Sequence, residues 1–155
     1  MDITYKNNNF QFLLRTSAVI LNKNKNKVLL FNVEGRDFYL LPGGKISEKE
    51  TSIEAIKREI KEELGYENLD LSLLAISEES IEINNNYNQQ INFIYQTVYE
   101  NEITKDKFKG IEGDWINFEW INIDNLDNIR VYPRKLKDYI SDPSNIYHNI
   151  EKITK

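Results

Sequence analysis

The sequence predicts a single domain of the α/β or α+β class over residues 1–155. A length of 155 residues is enough to bury one substantial core and short for two. Hydrophobic residues make up 40% of the chain and charged residues 29%, as in ordinary globular domains. Apolar segments typical of strands occur before and after one well-marked helix, and no repeat or linker divides them.

The part of the chain before the helix predicts three strands. Residues 12–21 and 28–33 are apolar and rich in β-branched side chains, which favours strands. Between them, residues 22–27 alternate Asn and Lys and predict the polar loop of a hairpin. A turn at residues 34–37 then leads to a short strand at 38–41, which runs into a Pro-Gly-Gly sequence.

The central helix has the clearest boundaries in the chain. Thr51 and Glu54 are spaced as a capping box at its start, and Gly65 stands where a glycine commonly ends a helix. One apolar stripe at helical spacing predicts the face that packs on the core, formed by Ile53, Ile56, Ile60 and Leu64.

The second half of the chain predicts further strands and two short helices. Apolar and β-branched runs indicate the strands, and Pro133 indicates the start of a helix. We expect strands at 69–76, 91–99 and 118–123, a polar loop at 84–89, and helices at 134–140 and 146–153.

Charge and composition exclude several functional classes. A net charge of −5 argues against a dedicated nucleic-acid binder, because such proteins use clustered Lys and Arg. The absence of cysteine excludes disulfides and thiolate chemistry. No apolar run reaches the length of about 18 residues needed to cross a bilayer, and residues 1–10 lack the apolar core of a signal peptide. We therefore expect a cytoplasmic protein with no membrane or nucleic-acid partner.

Three glutamates of the central helix form the most informative cluster. Glu59, Glu62 and Glu63 are three and four residues apart, so their side chains share one face of the helix. Like charges at this spacing destabilise an isolated helix. A hard divalent cation such as Mg²⁺ removes that repulsion, because it prefers oxygen ligands.

The preceding loop adds two further features. Gly43 and Gly44 permit a backbone path that can direct a carbonyl oxygen at the same cation. Glu50 can fold back onto Arg58 and hold the loop against the helix, which is the support that metal ligands generally require.

A solvated helix surface is the alternative interpretation of any one glutamate pair, since charged residues are normally exposed. It does not account for the whole pattern. Two glycines, four glutamates and one arginine at fixed spacing have a chance probability of roughly 10⁻⁸ at typical residue frequencies.

Residues 44–66 resemble the Nudix box, in which a glycine and a glutamate precede the pattern Arg-Glu-apolar-any-Glu-Glu-any-Gly. Every specified position is filled, although Tyr66 stands where an aliphatic residue is usual. The resemblance implies the Nudix fold, a mixed β-sheet sandwiched between α-helices. It also implies a metal-dependent pyrophosphohydrolase that acts on a nucleoside di- or triphosphate or on a related nucleoside diphosphate linked to another group.

The resemblance also assigns roles to residues of this sequence. Many relatives supply an additional acidic ligand from a late loop, for which Glu112 and Asp114 are alternatives here. The expected cation is Mg²⁺, with Mn²⁺ as an alternative. The metal-binding and base-supplying groups would be Glu59, Glu62, Glu63 and the carbonyl of Gly43, with Glu50 and Arg58 as the supporting pair.

The expected reaction is substitution at phosphorus by water, with Glu59 as the first candidate for the general base and a loop acid as the second. Substrate contacts are predicted on general chemistry alone. Arg15 and Arg36 are candidates to bind phosphate, and Tyr39 and Tyr95 are candidates to stack on a base.

Two functional classes remain to be distinguished. The first is the hydrolase acting on a small nucleotide-like substrate. The alternative is a catalytically silent Nudix-fold module that binds nucleotides or regulates another process, for which a degenerate box would be expected. The sequence is compatible with either a monomer or a homodimer.

Overall fold

The computed structural model describes residues 1–154, which form eleven strands, two α-helices and one 3₁₀ helix. The helices are α1 (Ser52–Leu64) and α2 (Leu136–Ser141), and the 3₁₀ helix spans Ile123–Asn128. The strands are β1 (Thr4–Asn7), β2 (Phe10–Asn22), β3 (Lys27–Val33), β4 (Tyr39–Leu40), β5 (Gly43–Lys45), β6 (Ser72–Ile83), β7 (Asn86–Tyr99), β8 (Lys107–Gly110), β9 (Gly113–Asn122), β10 (Val131–Tyr132) and β11 (Tyr147–Thr154).

The sheet is mixed, with a main order of β10-β4-β3-β2-β7-β6-β11. Strand β2 runs parallel to β7 and antiparallel to β3, and β11 runs parallel to β6. Only Leu21 and Val28 are paired between β2 and β3, after which the two strands diverge. Strand β5 pairs with β2 beyond that point, which places Gly43 opposite Ser17 and Gly44 opposite Thr16. The glycine loop is therefore held against the centre of the sheet.

Helices cover both faces of the sheet, as the sequence predicted. On one face, Ile56 and Ile60 of α1 pack in a buried cluster with Ala18, Leu29 and Phe118. On the other face, the 3₁₀ helix and α2 contribute side chains to a second buried cluster, which also contains Val19, Leu30, Leu74, Ile94, Leu126, Leu136 and Tyr139. The sheet thus separates two cores, and the predicted mixed sheet between helices is confirmed.

The predicted boundaries of the central helix are confirmed. The Thr51 hydroxyl accepts a hydrogen bond from the Glu54 N–H, and the Glu54 carboxylate accepts one from the Thr51 N–H, which completes the capping box. Gly65 ends the helix in the left-handed conformation with φ 72°. No helix within residues 1–154 combines the length and apolarity needed to cross a membrane.

The polar loop predicted at residues 84–89 is wrong for most of its length. Only Asn84 and Asn85 form the connection, with φ of 51° and 61°, and residues 86–89 belong to β7. Asparagine adopts positive φ more readily than other non-glycine residues, which permits this tight turn. The flanking strands are consequently longer than predicted, and β6 begins at Ser72 rather than at residue 69.

The helix predicted at residues 146–153 is also wrong, because this segment forms β11. Ile146 and Ile150 fit a helical spacing, but both are solvent-exposed, at 65% and 68%. The side chains that face the sheet interior include the polar residues Asn149 and Glu151. Because polar residues occupy the inward positions of this strand, its inward and outward side chains do not alternate between apolar and polar, and the sequence lacks the usual strand pattern. The helix predicted at 134–140 is present as α2, shifted by one or two residues.

Candidate active site

The two loop glycines lie where a side chain has no space. A Cβ atom on Gly43 would lie 2.1 Å from the carbonyl oxygen of Thr16, and one on Gly44 would lie 2.2 Å from the carboxyl carbon of Glu59. The backbone N–H of Gly43 hydrogen-bonds to Glu63. The glycines therefore bring β5 into direct contact with two of the predicted carboxylates.

Arg58 joins α1 to the loop that precedes it. Its Nε donates to Oε2 of Glu50 at 3.1 Å, its Nη2 donates to Oε1 of Glu50 at 2.6 Å, and Nη2 also donates to the Lys45 carbonyl at 3.1 Å. The hydrogen bond from Arg58 lowers the pKa of Glu50 to about 2, and that from Glu50 raises the pKa of Arg58. The structure thus brings the expected supporting pair into contact.

Arg58 also pairs with two of the helix glutamates. Its Nη1 donates to Glu59 at 2.8 Å and to Glu62 at 3.2 Å. The Glu59 side chain is mostly buried, whereas that of Glu62 is 44% exposed. Within the described chain, no three acidic or histidine side chains are grouped closely enough to hold a metal ion. The glutamates share the predicted face, but two of them are turned toward Arg58.

Glu63 is the carboxylate with unsatisfied hydrogen-bonding capacity. It is 8% exposed, and its Oε2 is one of two buried side-chain oxygens or nitrogens in residues 1–154 without a hydrogen-bond partner. Burial raises the pKa of Glu63 to about 8, and the negative charges of Glu59 and Glu112 add to this rise. Burial also raises the pKa of Glu59. The site therefore concentrates acidic groups where solvent stabilises their charge poorly.

Glu112 interacts electrostatically with this cluster. Glu112 and Asp114 belong to the turn and strand start that follow β8, and the backbone N–H of Ile111 donates to the Glu63 carbonyl at 3.1 Å. This hydrogen bond holds the turn against the end of α1. The negative charge of Glu112 raises the pKa of both Glu59 and Glu63, which favours Glu112 as the additional acidic ligand.

A cavity of about 290 Å³ is connected to the carboxylate cluster through Arg15, which lines it. Arg15, Ser17 and Arg36 line it, which places both predicted arginines in one cavity. Arg15 also lowers the pKa of Glu63 through its positive charge, so it interacts with the cluster as well as the cavity. Arg36 is exposed, and its guanidinium lies 6.0 Å from the centre of the Phe38 ring.

The two tyrosines predicted to stack on a base lie elsewhere. The Tyr39 hydroxyl donates to Glu119 at 2.9 Å, and Tyr39 packs against the core beneath the 3₁₀ helix and α2. Tyr95 is 9% exposed, and its hydroxyl lies 2.6 Å from the Ser52 hydroxyl beneath α1. Both side chains are engaged in packing and hydrogen bonds, and neither lines the cavity. The aromatic residues that line the cavity are Phe31, Phe38 and Tyr132.

Four polar residues that line the cavity were not predicted from the sequence as substrate contacts, namely Glu79, Gln90, Asn92 and Glu151. Glu79 and Gln90 face each other across the β6–β7 hairpin and are hydrogen-bonded. The Asn84-Asn85 sequence was a detectable signal, because a two-residue turn there fixes this register. No comparable local signal specifies the parallel pairing of β11 with β6.

Comparisons with known proteins support the resemblance to the Nudix family. The family model described as the NUDIX domain matches residues 12–140. A MutT protein from Bacillus halodurans has a similar structure, with a TM-score of 0.69, 20% identity, and coverage of 88% of this chain and 89% of that chain. The NUDIX domain of Shewanella oneidensis NrtR, complexed with ADP ribose, has a TM-score of 0.66 and 15% identity and covers 91% of both chains.

A curated relative adds a local sequence match. The mRNA-decapping enzyme subunit 2 of Saccharomyces cerevisiae (strain YJM789) is 42% identical over 50 residues, or 32% of this chain. The match spans only 5% of the length of that enzyme. Because the family model covers most of the sequence and the fold agrees with solved relatives, this chain belongs to the Nudix family of hydrolases.

Proposed function

We propose that this Nudix protein is a metal-dependent pyrophosphohydrolase that cleaves the diphosphate linkage of a small nucleotide. The substrate would be a nucleoside di- or triphosphate, or a related nucleoside diphosphate linked to another group. The observation that carries the proposal is the buried Oε2 of Glu63, which has no hydrogen-bond partner in residues 1–154 and lies in an acidic cluster. Arg15 interacts with this cluster and also lines a cavity.

The donor set fits a hard divalent cation. An unpaired buried carboxylate oxygen is costly, and a cation is a favourable partner for it. Glu59 and Glu112 add negative charge to the same place, and carboxylate oxygens are the ligands that Mg²⁺ and Mn²⁺ prefer. Glu63 and Glu112 would hold the cation together with the carboxylate oxygens of Glu59 and Glu62 that do not face Arg58, once the four side chains close on it. The Gly43 carbonyl would contribute to the same site.

Arg15 supports the position of the substrate. Its guanidinium lines the cavity and its charge reaches Glu63, so phosphate groups bound near Arg15 would lie beside the carboxylates. The cavity would then receive the remainder of the nucleotide. The ligand of the Shewanella oneidensis NrtR domain, ADP ribose, belongs to the class of nucleoside diphosphates linked to another group.

The chain itself would supply position, charge and a proton acceptor. When bound, the cation would neutralise the phosphate oxygens and acidify the attacking water. Glu59 is our candidate for the base, because its mostly buried carboxylate lies directly against Gly44 and its pKa is raised by burial toward the range useful for proton transfer. Arg58 would keep Glu59 oriented while Glu50 holds Arg58.

We also propose that the residues on either side of the family match, 12–140, belong to the same Nudix domain. Strand β1 pairs with β2, and β11 pairs with β6 along its whole length. Both strands therefore extend the sheet that carries the site.

The test is a substrate panel with matched variants. The purified protein would be incubated with nucleoside triphosphates, dinucleoside polyphosphates and nucleotide sugars, with Mg²⁺ or Mn²⁺ or with neither. Release of phosphate and pyrophosphate would be measured. We expect cation-dependent turnover of at least one compound, a loss of about 10²- to 10⁴-fold in Glu59→Gln, and background rates in Glu63→Gln.

Glu67→Gln is the control, since Glu67 lies beyond the end of α1, is exposed, and pairs only with the exposed Lys61 among the ion pairs of residues 1–154. It should retain wild-type rates. A folded protein that binds nucleotides but turns over none of them with either cation would refute the hydrolase and leave the catalytically silent binding module.

A further inference from the structure

The C-terminal strand contributes a buried carboxylate to the cavity. Glu151 lies on β11, outside the residues matched by the family model, and is 6% exposed. Its Oε1 accepts a hydrogen bond from the backbone N–H of Arg134 at 2.8 Å, and its Oε2 lies 3.5 Å from the Arg134 Nε. Each carboxylate oxygen can accept two hydrogen bonds, so capacity for a ligand remains.

A second carboxylate lies opposite Glu151 in the same cavity. Glu79 and Glu151 are partners in the parallel register of β6 and β11, and both line the cavity. Glu79 accepts a hydrogen bond from the Gln90 side chain. Like charges on neighbouring strands are destabilising when they directly face each other. N–H donors of a ligand placed against this pair would relieve that repulsion.

The opposite end of the cavity presents donors. Arg15 on β2 pairs with Asn92 on β7. Asn92 lies two residues, or about 7 Å, beyond Gln90 along β7. The Ser17 hydroxyl donates to Oδ1 of Asn92 at 3.0 Å, which orients the Asn92 side chain so that its NH₂ remains as a donor. The cavity is therefore polarised, with donors at the end where Arg15 interacts with Glu63 and acceptors at the other end.

We propose that Glu151 is a specificity-determining residue that selects nucleotides whose base presents two adjacent N–H donors. The proposal rests on the proposed function only in placing the phosphates near Arg15, which directs the base toward Glu151 and Glu79. Phe38 and Tyr132, whose ring centres are 5.8 Å apart, supply aromatic surface beside the base.

Base chemistry then defines the substrate class. A 2-amino-6-oxopurine carries a ring N–H next to an amino group, and this edge can donate twice to carboxylate oxygens. Hypoxanthine lacks the amino group, and adenine places a ring acceptor next to its amino group. Uracil places its ring N–H between two carbonyl oxygens, which the carboxylates would repel. The expected substrates are therefore guanosine nucleotides.

The test measures binding apart from turnover. Calorimetric titrations with Mg²⁺ would use the α,β-methylene triphosphates of guanosine, inosine and adenosine. We expect the guanosine compound to bind roughly 10- to 100-fold more tightly than the inosine compound, the effect of one hydrogen bond to a charged group. Glu151→Gln should reduce this ratio to within about 3-fold, because the amide replaces an acceptor by a donor.

Glu78→Gln is the matched control and should keep the guanosine preference, because Glu78 is exposed on the opposite face of β6 and contacts His148. Thermal unfolding would verify that the variants fold. If Glu151→Gln does not fold, Glu79→Gln provides the same test, a reduced preference for guanosine over inosine. Absence of binding, absence of a guanosine preference, or a preference unchanged in the variants would overturn the inference. A preference that depends on Glu151 in a protein without turnover would uphold it while refuting the proposed hydrolase.

Discussion

The adjacent glycines of the loop are constrained by different neighbours, so their substitution should have different effects. A methyl group on Gly43 meets backbone, 2.1 Å from the Thr16 oxygen and 2.7 Å from the Ser17 Cα. A methyl group on Gly44 meets only the movable carboxylate of Glu59. We predict that Gly43→Ala destabilises the fold by about 1–3 kcal/mol, as overpacking typically does. Gly44→Ala should change stability by less than about 1 kcal/mol and displace Glu59, which lowers kcat.

Urea unfolding and steady-state kinetics on the same preparations would separate the two effects. Gly35→Ala is a control for glycine removal without a steric clash, because a Cβ there meets no atom within 4 Å. Its loss of stability, about 1–2 kcal/mol, would report only the conformational cost of the φ of 84°. Equal loss of stability in the two loop variants would contradict the assignment of Gly44 to the catalytic contact.

Glu63 should affect stability with opposite sign in the presence and absence of a cation. Its pKa is raised to about 8 in the folded protein, so near pH 7 folding requires the carboxyl to take up a proton, a cost that an amide does not carry. We predict that Glu63→Gln raises the melting temperature in chelator by a few degrees, corresponding to about 1 kcal/mol. Saturating Mn²⁺ should raise the melting temperature of the wild type but not that of the variant. Equal stabilisation of both proteins by Mn²⁺ would show that Glu63 is not a ligand.

At the scale of elements, the contact of Arg58 with Glu50 joins the loop after β5 to α1, and its contribution should depend on pH. The pKa of Glu50 is lowered from 4.5 to about 2 in the folded protein, chiefly by the hydrogen bond from Arg58. The contact therefore stabilises the fold fully above about pH 4.5, and this stabilisation is lost as the pH falls through about 2. We predict that Glu50→Gln costs about 1–2 kcal/mol at pH 7 and that the difference shrinks below pH 4.5.

Denaturant unfolding of the wild type and the variant between pH 2 and pH 7 would measure this difference. The comparison removes the general acid destabilisation that both proteins share. Activity at pH 7 should also fall by about 10- to 100-fold, because Arg58 loses its support. A difference in unfolding free energy that stays constant down to pH 2 would refute the role of the ionised Glu50.

Local signals account for the elements that could be predicted from sequence. The capping box, the terminal Gly65 and the isoleucine stripe all lie within one helix, so they define α1 without reference to the rest of the fold. The carboxylate face follows from the same periodicity. The direction of each carboxylate does not, because Arg58 turns Glu59 and Glu62 toward itself through contacts that spacing alone does not specify.

The cavity was not predictable because it depends on pairing between distant segments. The β6–β7 register follows from the Asn84-Asn85 turn, but the approach of Arg15 depends on the parallel pairing of β2 with β7. Such pairing has no turn that specifies it. Strand β11 was predicted as a helix because its buried positions carry Asn149 and Glu151, and the composition of a buried polar strand does not differ from that of a surface segment.

At the scale of the whole molecule, buried hydrogen bonds connect β6, β11 and α2. The Tyr139 hydroxyl donates to Oδ1 of Asn149 at 2.6 Å, and Nδ2 of Asn149 donates to the Ser77 hydroxyl at 2.9 Å. Asn149 is 2% exposed. A buried polar side chain with partners on both sides fixes the register of β11, because a shift by one residue would turn Asn149 outward and leave the Tyr139 and Ser77 hydroxyls without it.

This connection makes β11 part of the cooperative fold. We predict that Asn149→Ala lowers the free energy of unfolding by about 2–4 kcal/mol, because Ser77 and Tyr139 both lose a partner in a buried environment. Tyr139→Phe should cost about 1–2 kcal/mol. The double variant should cost about 1 kcal/mol less than the sum, since both substitutions remove the same hydrogen bond. Urea denaturation of the four proteins would give the coupling, with the outward-facing Lys152→Ala as a neutral control. Additive effects, together with an unchanged urea midpoint in Asn149→Ala, would mean that the rest of the sheet is stable without β11. In that case Glu151 would be held in the cavity by Arg134 rather than by the fold as a whole.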